Sequence, residues 1–329
     1  MGYSSSDPAN YLAMAKQADA STEATTGFKF VKFLGNTGIE PNVEAQSVFE
    51  GGDGQDQGLH YRQRTKFDGQ VVANARPDMF AYLSAWALGS GVAVPSTAGL
   101  ATHVYTPNAT VPFLTIEQAW GGGKQIDRVL SGIITGFQVE GNAGAPWQVT
   151  TPFIGGGTAY YRDGAASALS AVLESGDPAM YAGGAYLING ATELDITKFT
   201  YNFQRNVDDN LFTVDQFRRK VVPLSRQVSL DFQVIWQDQA LWKNIMYGGG
   251  SMIPQNLATG AFKAQRILSS SQMVSIDIPL LRYTSITVNQ LNPDGETVVL
   301  DVSSMAAKGA TGIVQHRINT LSQATSYLL

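Results

Sequence analysis

Cysteine is absent from the 329-residue chain, which removes disulfides, thiolate metal sites and cysteine nucleophiles and leaves packing to hold the fold. Charge is scarce as well: charged residues make up 15% of the sequence against 44% hydrophobic. The surface must therefore be built from Ser, Thr, Asn, Gln and Gly, a composition that suits lasting contact with neighbours. Within that small complement, 22 Lys and Arg against 27 Asp and Glu give a formal charge of −5, the wrong sign for a protein that grips phosphates by releasing counterions. Tight nucleic-acid binding is not expected. No apolar run reaches the roughly 18 residues that a membrane-spanning helix needs. The opening stretch MGYSSSDPANYLAMAKQADA has neither the basic nor the apolar region of a secretory signal, so export is not expected, and an outer-membrane barrel would need that signal together with aromatic girdles.

Histidine is nearly absent too. His60, His103 and His316 are scattered, with no partner at metal-ligand or triad spacing, and a surface or hydrogen-bonded role suits each of them better than catalysis. Gly121-Gly122-Gly123-Lys124 lacks the outer glycine and the Ser/Thr of a phosphate-binding loop and reads as a hairpin loop. Asp53, Gln55 and Gln57 put amides where a calcium loop needs carboxylates and read as a solvated loop. Arg218-Arg219-Lys220 is the one basic triplet, read as lying in a loop. No catalytic, cofactor-binding or metal-binding constellation emerges, and no enzyme activity or cofactor is expected.

What the chain has in quantity is alternation. Val228, Leu230, Phe232, Val234 and Trp236 fall at period two, a half-buried strand. Gln237 to Tyr247 then carries Ala240, Leu241, Ile245 and Met246 at helical spacing and stops at Gly248-Gly249-Gly250. Val274 to Leu280, Ile286 to Val288 and Val298 to Val302 alternate again, the last two around the turn Asn292-Pro293-Asp294-Gly295.

The first half follows the same order. Phe67 to Val72 matches Leu230 to Ile235, and Pro77 to Leu88 opens with a proline suited to a first helical turn and ends at Gly89-Ser90-Gly91. Leu114 to Glu117 is set against Val274 to Asp277, Ile134-Thr135 against Ile286-Thr287, and Trp147, Val149 and Thr151 against Val298, Leu300 and Val302. Strand, helix, strand, hairpin thus occurs twice, the mark of an internal duplication. The length accords with roughly two domains. The expected division is an N-terminal arm over 1–27, a first β domain over 28–164, a linker over 165–192 in which Ala165 to Pro178 makes a short helix or linker, and a second β domain over 193–329. The arm and Glu50 to Gly58 are polar and without periodicity and read as flexible. The carboxylates Glu117, Glu140, Asp277 and Asp301 read as marking strand faces turned from the core. Trp86, Trp242, Phe80 and Tyr247 on the two helices read as packing on a sheet.

This plan, with the stretches Ile133 to Gly141 and Thr284 to Leu291, resembles the tail-tube (major tail) proteins of long non-contractile phage tails in their two-domain form. The resemblance runs from about Phe28 onward and rests on order, with no short diagnostic motif. It implies a mainly β fold with some α: duplicated β-sandwich or barrel domains, each flanked by a helix, whose strands join a continuous inner barrel in a ring. It implies a homotrimeric ring of pseudo-sixfold symmetry, or else a homohexamer, stacked into a tube. The tape measure, tail terminator and distal tail proteins are the implied partners and the virion the implied location. DNA would cross the lumen without tight binding, past a wall to which Glu117, Glu140, Asp277 and Asp301 are the candidate contributors, while Glu50, Asp53 and Asp56 are candidates for ring-to-ring contact. Another virion building block, such as a terminator or capsid decoration protein, and a carbohydrate-binding or hydrolytic two-domain β protein are the alternatives.

Overall fold

The computed structural model describes residues 10–48, 59–89, 91–95, 101–120, 125–156, 160–163, 176–193, 195–212, 218–236, 240–247, 256–288, 297–309 and 312–320. Its first half contains β1 (Tyr11–Lys16), β2 (Lys29–Phe30), β3 (Gly38–Val48), β4 (Leu59–Asn74), α1 (Pro77–Leu88), β5 (Val92–Pro95), β6 (Ala101–Tyr105), β7 (Leu114–Trp120), β8 (Gln125–Ile134), β9 (Gly136–Asn142), β10 (Gln148–Gly155) and β11 (Tyr160–Asp163). The second half contains β12 (Ala185–Ile188), β13 (Ala191–Thr192), β14 (Ile196–Phe212), β15 (Arg218–Ile235), α2 (Ala240–Tyr247), β16 (Thr259–Ser269), β17 (Gln272–Val288), β18 (Val299–Ala306) and β19 (Gln315–Thr320). The chain is mainly β, as expected, and neither helix is long and apolar enough to cross a membrane.

All strand pairings among the described residues are antiparallel, and apart from a short pairing of β8 with β10 they fall into a long ladder and two flanking ones. The long ladder runs β3-β4-β10-β9-β14-β15-β18 and ends on the C-terminal part of β17. One flanking ladder runs β2-β1-β7-β8-β11. The other runs β13-β12-β16, then the N-terminal part of β17, then β19-β6-β5. Each pairing of the first flanking ladder has a counterpart in the second, with β1, β7, β8 and β11 answering β12, β16, β17 and β19.

This correspondence corrects the sequence alignment in three places. Leu114 to Glu117 lies on β7, whose counterpart is β16, a strand that sequence reading passed over, whereas Val274 to Asp277 lies on β17. The chain breaks between β8 and β9 at Thr135, which donates from Oγ1 to the Pro152 carbonyl, and β17 is irregular at Thr284, which donates to the Ser303 carbonyl. Thr135 therefore corresponds to Thr284 rather than to Thr287. Val149 pairs with Ala73 and Leu300 with Val234, so Ala73 matches Val234, a slip of two residues from the match drawn on alternation. A period-two pattern is unchanged by a shift of two, so alternation alone cannot set the register.

Two segments read as accessory belong to the sheets. Tyr11–Lys16 is no flexible arm: its Leu12, Ala13, Met14 and Ala15 are buried, and it pairs with β7 along its whole length. Residues 176–192 carry β12 and β13, and Ala179 bonds through its backbone to both Ala75 and Trp147. Arg218 to Lys220 opens β15 and is not in a loop.

Glu117 departs furthest from expectation. Both faces of β7 are covered, because the chain after β1 folds back over the outer one, where the Ala24 N–H donates to Thr115 Oγ1. Glu117 is therefore fully buried. It accepts from Arg128 Nε at 2.7 Å and from Arg128 Nη2, and Tyr11 donates to its other oxygen at 2.5 Å. Arg128, also buried, reaches Glu23 with Nη1. Burial and the neighbouring carboxylate push the Tyr11 hydroxyl well above its usual range.

One apolar core spans both halves. The Phe199 ring on β14 meets the Trp147 ring edge-on at 5.2 Å, and Trp147 Nε1 donates to the Tyr186 hydroxyl. α1 follows its sequence signals: Pro77 opens it, and Gly89, at φ 79°, closes it by donating to the Ala85 carbonyl. Ten of its twelve residues are buried, since it packs against β8, β9 and β10 of its own half and against β17, β19 and, through β6, the far ladder. Arg205 on β14 reaches the Ala87 carbonyl at its C-terminal end, where a cation suits the helix dipole. His316 on β19 is fully buried there, with Nδ1 on Ser84 Oγ and Nε2 on the Tyr201 hydroxyl. α2 differs: none of its residues is buried, although Leu241, Trp242 and Ile245 pack partly on the core.

Two outcomes follow. Removing Glu117 strands the Arg128 guanidinium in the interior, so Glu117→Ala should cost about 3–5 kcal/mol in urea unfolding; a loss below about 1 kcal/mol would mean that the pair is not the lock described. Burial holds His316 down to about 3 from 6.5. Between those values the unfolded chain takes up a proton that the native chain refuses, so stability falls as pH falls from about 6.5 toward 3, by about 1.4 kcal/mol per pH unit from this group. His316→Gln keeps a donor and an acceptor and should flatten the curve by that slope; parallel curves would contradict the assignment.

Candidate assembly surface

The long ladder has one face on the core and one away from it. Alternation along each strand assigns side chains to these faces, and the cross-strand register keeps the assignment from strand to strand. The outward face carries Glu40 and Glu44 on β3, Asp68 on β4, Glu140 on β9, Asp231 on β15 and Asp301 on β18. Against these stand Arg64, Lys66, Lys198 and Arg282. Most remaining positions are amides or hydroxyls, among them Gln70, Gln138, Gln148, Thr150, Thr200, Asn202, Ser229, Gln233, Ser285, Thr287 and Ser303.

The carboxylates are held in place by their neighbours. Gln138 Nε2 donates to Glu140 at 2.6 Å and Gln233 Nε2 to Asp301 at 3.0 Å, while Gln233 accepts from Thr197. Lys66 meets Glu44 at 2.9 Å. One rung crosses the sheet as Gln148, Glu140, Thr200, Asp231, Ser303 and Ser285. Among the described residues the surface is thus polar and close to neutral with carboxylates in slight excess, and these offer no row of cations to a polyanion.

Of the four carboxylates singled out in the sequence, only Glu140 and Asp301 are brought together on this face. Glu117 is in the interior, and Asp277 sits on the flanking part of β17 between Lys263 and Gln315. Glu50, Asp53 and Asp56, and the motif Gly121 to Lys124, lie outside the described residues. Glu40, Glu44, Asp68 and Asp231 on the same face were missed. Asp231 had a signal, since it alternates with Leu230 and Phe232 on a strand that sequence reading had identified.

The ladder is continuous through the chain because β9 pairs with β14 over Gly136 to Asn142 against Lys198 to Gln204. Beyond β3 at one end and the C-terminal part of β17 at the other, no further strand pairs among the described residues. An exposed sheet edge is a template for another chain, and natural proteins usually shorten, charge, kink or cover such edges. The described residues bring together no group of three or more His, Asp or Glu placed to hold a metal ion.

No curated protein matches the sequence. A family model described as phage tail tube protein matches residues 9–302, nearly the whole chain, and the chain therefore belongs to the phage tail tube protein family.

Proposed function

We propose that this structural tail tube subunit closes laterally with copies of itself into a ring, with the outward face of the long ladder turned to a hollow axis through which DNA leaves the particle. The observation that carries this reading is the ladder itself: it crosses both halves without a break, ends in two strands whose outer edges pair with no further strand among the described residues, and presents amides, hydroxyls and a small excess of carboxylates. Such a wall hydrates a passing polyanion without condensing on it, whereas a lysine-rich wall would release counterions and hold it.

The two halves act as two units of one plan, so three chains supply six and the ring is a trimer of pseudo-sixfold symmetry. Closure leaves no free strand edge, which removes the aggregation hazard of the open sheet. Rings stack into a tube, enclosing the tape measure protein and meeting terminator and distal tail proteins at its ends. The chain performs no catalysis in this role; its chemistry is the polarity of a surface.

Electron micrographs of the purified chain at high concentration should show rings and stacks of rings, and particles that stay monomeric would refute the reading. For the lumen, Glu140→Lys combined with Asp231→Lys and Asp301→Lys should leave tubes intact and slow DNA ejection, more so at low salt. Ejection at the unaltered rate would place this face elsewhere.

A further inference from the structure

The chain contains one seam between equivalent units, and that seam specifies the other. At the internal seam β9 of the first half pairs with β14 of the second. The counterpart of β9 is the C-terminal part of β17, fixed by Val139 and Val288 lying opposite Val149 and Leu300. The counterpart of β14 is β3, fixed by Ile39 opposite Gly69 and Tyr201 opposite Leu230. These counterparts are the two ends of the ladder. We infer that the C-terminal part of β17 in one copy pairs antiparallel with β3 of the next, with Val288 opposite Ile39, Thr287 opposite Glu40, Ile286 opposite Pro41 and Ser285 opposite Asn42. The inference rests on the ring reading above and deepens it by naming the strands and their register.

The hydrogen bonds follow from the internal seam. There the Arg205 N–H donates to the Thr135 carbonyl and the Ala143 N–H to the Thr197 carbonyl, so odd-numbered residues of β9 and β14 bond across it. Transferred, the Val43 N–H meets the Thr284 carbonyl, Ile286 donates to the Pro41 carbonyl and Val288 to the Ile39 carbonyl. Pro41 has no N–H, and the side it leaves bare is the open edge, where proline is tolerated. The Ile39 N–H donates at 2.6 Å to the Gln118 side chain. Proline and Gln118 together blunt this edge in the free chain, and Gln118 must let go of Ile39 when the seam closes.

A second feature points the same way. α1 is buried because the other half's β17 and β19 cover it. The same operation sets β8 and β11 of the next copy over α2, whose Leu241, Trp242 and Ile245 are only partly buried in the single chain. Val43, 46% exposed, takes the place held at the internal seam by Arg205 and brings an apolar side chain to the C-terminal end of α2.

The cysteine-free sequence makes the register directly testable. Glu40 and Thr287 form a non-hydrogen-bonded pair in this seam, with Cα atoms about 4.5 Å apart, inside the range a disulfide spans. The double variants E40C/T287C and N42C/S285C, assembled and treated with diamide, should each give interchain disulfides that build to a closed covalent trimer on non-reducing gels. E40C/S285C, out of register by two residues, should give at least tenfold less. Both matched pairs sit at exposed positions, and each serves as the folding control for the other. Equal cross-linking in and out of register would overturn the proposed pairing. Unaltered chain that forms tubes while neither matched pair cross-links would overturn it and leave the tube reading standing; unaltered chain that forms no rings would remove the tube reading and this inference together.

Discussion

The antiparallel pairing of β9 with β14 is the constraint on which the rest of this structure depends. Without it the long ladder would part into two four-stranded sheets with open edges, and the halves would be joined by the β19–β6 pairing and the packing on α1. With it, eight strand segments form one surface, with the main apolar core behind them and two smaller clusters beside it among the described residues. The pairing is reinforced from several directions. Gly141 stands opposite Phe199, and the ring lies so close that a Cβ there would come within 2.2 Å of it. The same ring meets Trp147, Arg205 binds the end of α1, and His316 joins α1 to β14. Through these contacts Gly141, Trp147 and α1 of the first half are tied to β14 and β19 of the second.

How much of this was legible in the sequence depended on whether a signal was local. α1 was read with both ends correct because Pro77 and Gly89 act within a turn of where they stand. β4, β15 and the start of β17 were visible as alternation, because one face of each meets the core. β16 was not, since only Phe262 and Ala264 along it are buried among its described neighbours. β14 was passed over although Phe199, Tyr201 and Phe203 alternate plainly in its sequence. Pairing order and register were beyond reach, because a period of two carries no label saying which strand it belongs to. Glu117 shows the same limit in the surface reading: alternation locates the far face of a strand, but whether that face meets water depends on residues 17–28, which cover it from about a hundred positions away in sequence.

A duplicated chain also changes the energetics of closing a ring. Within the chain the seam forms at the cost of ordering a loop, which grows slowly with its length. Between chains the same contacts must overcome the lost freedom of a whole subunit. In the proposed ring, two units in one chain make half of the seams part of folding and leave the other half to assembly. The guarded edge at Pro41 and Gln118 fits this division, since the free subunit must not zip to arbitrary strands before its proper neighbour arrives. The near-neutral outward face fits it as well: with so few charges, long-range steering contributes little, and geometry at the edges does the selecting.

The central claim is that one seam geometry recurs around the ring. A cryo-electron reconstruction of the self-assembled tube, at a resolution that separates strands about 4.8 Å apart, tests it most directly. The account predicts six alike seams per ring, alternating within and between chains, with β3 beside the C-terminal part of β17 and Gln118 turned away from Ile39. A ring whose chains meet through other strands, or in which β3 stays bare, would contradict it.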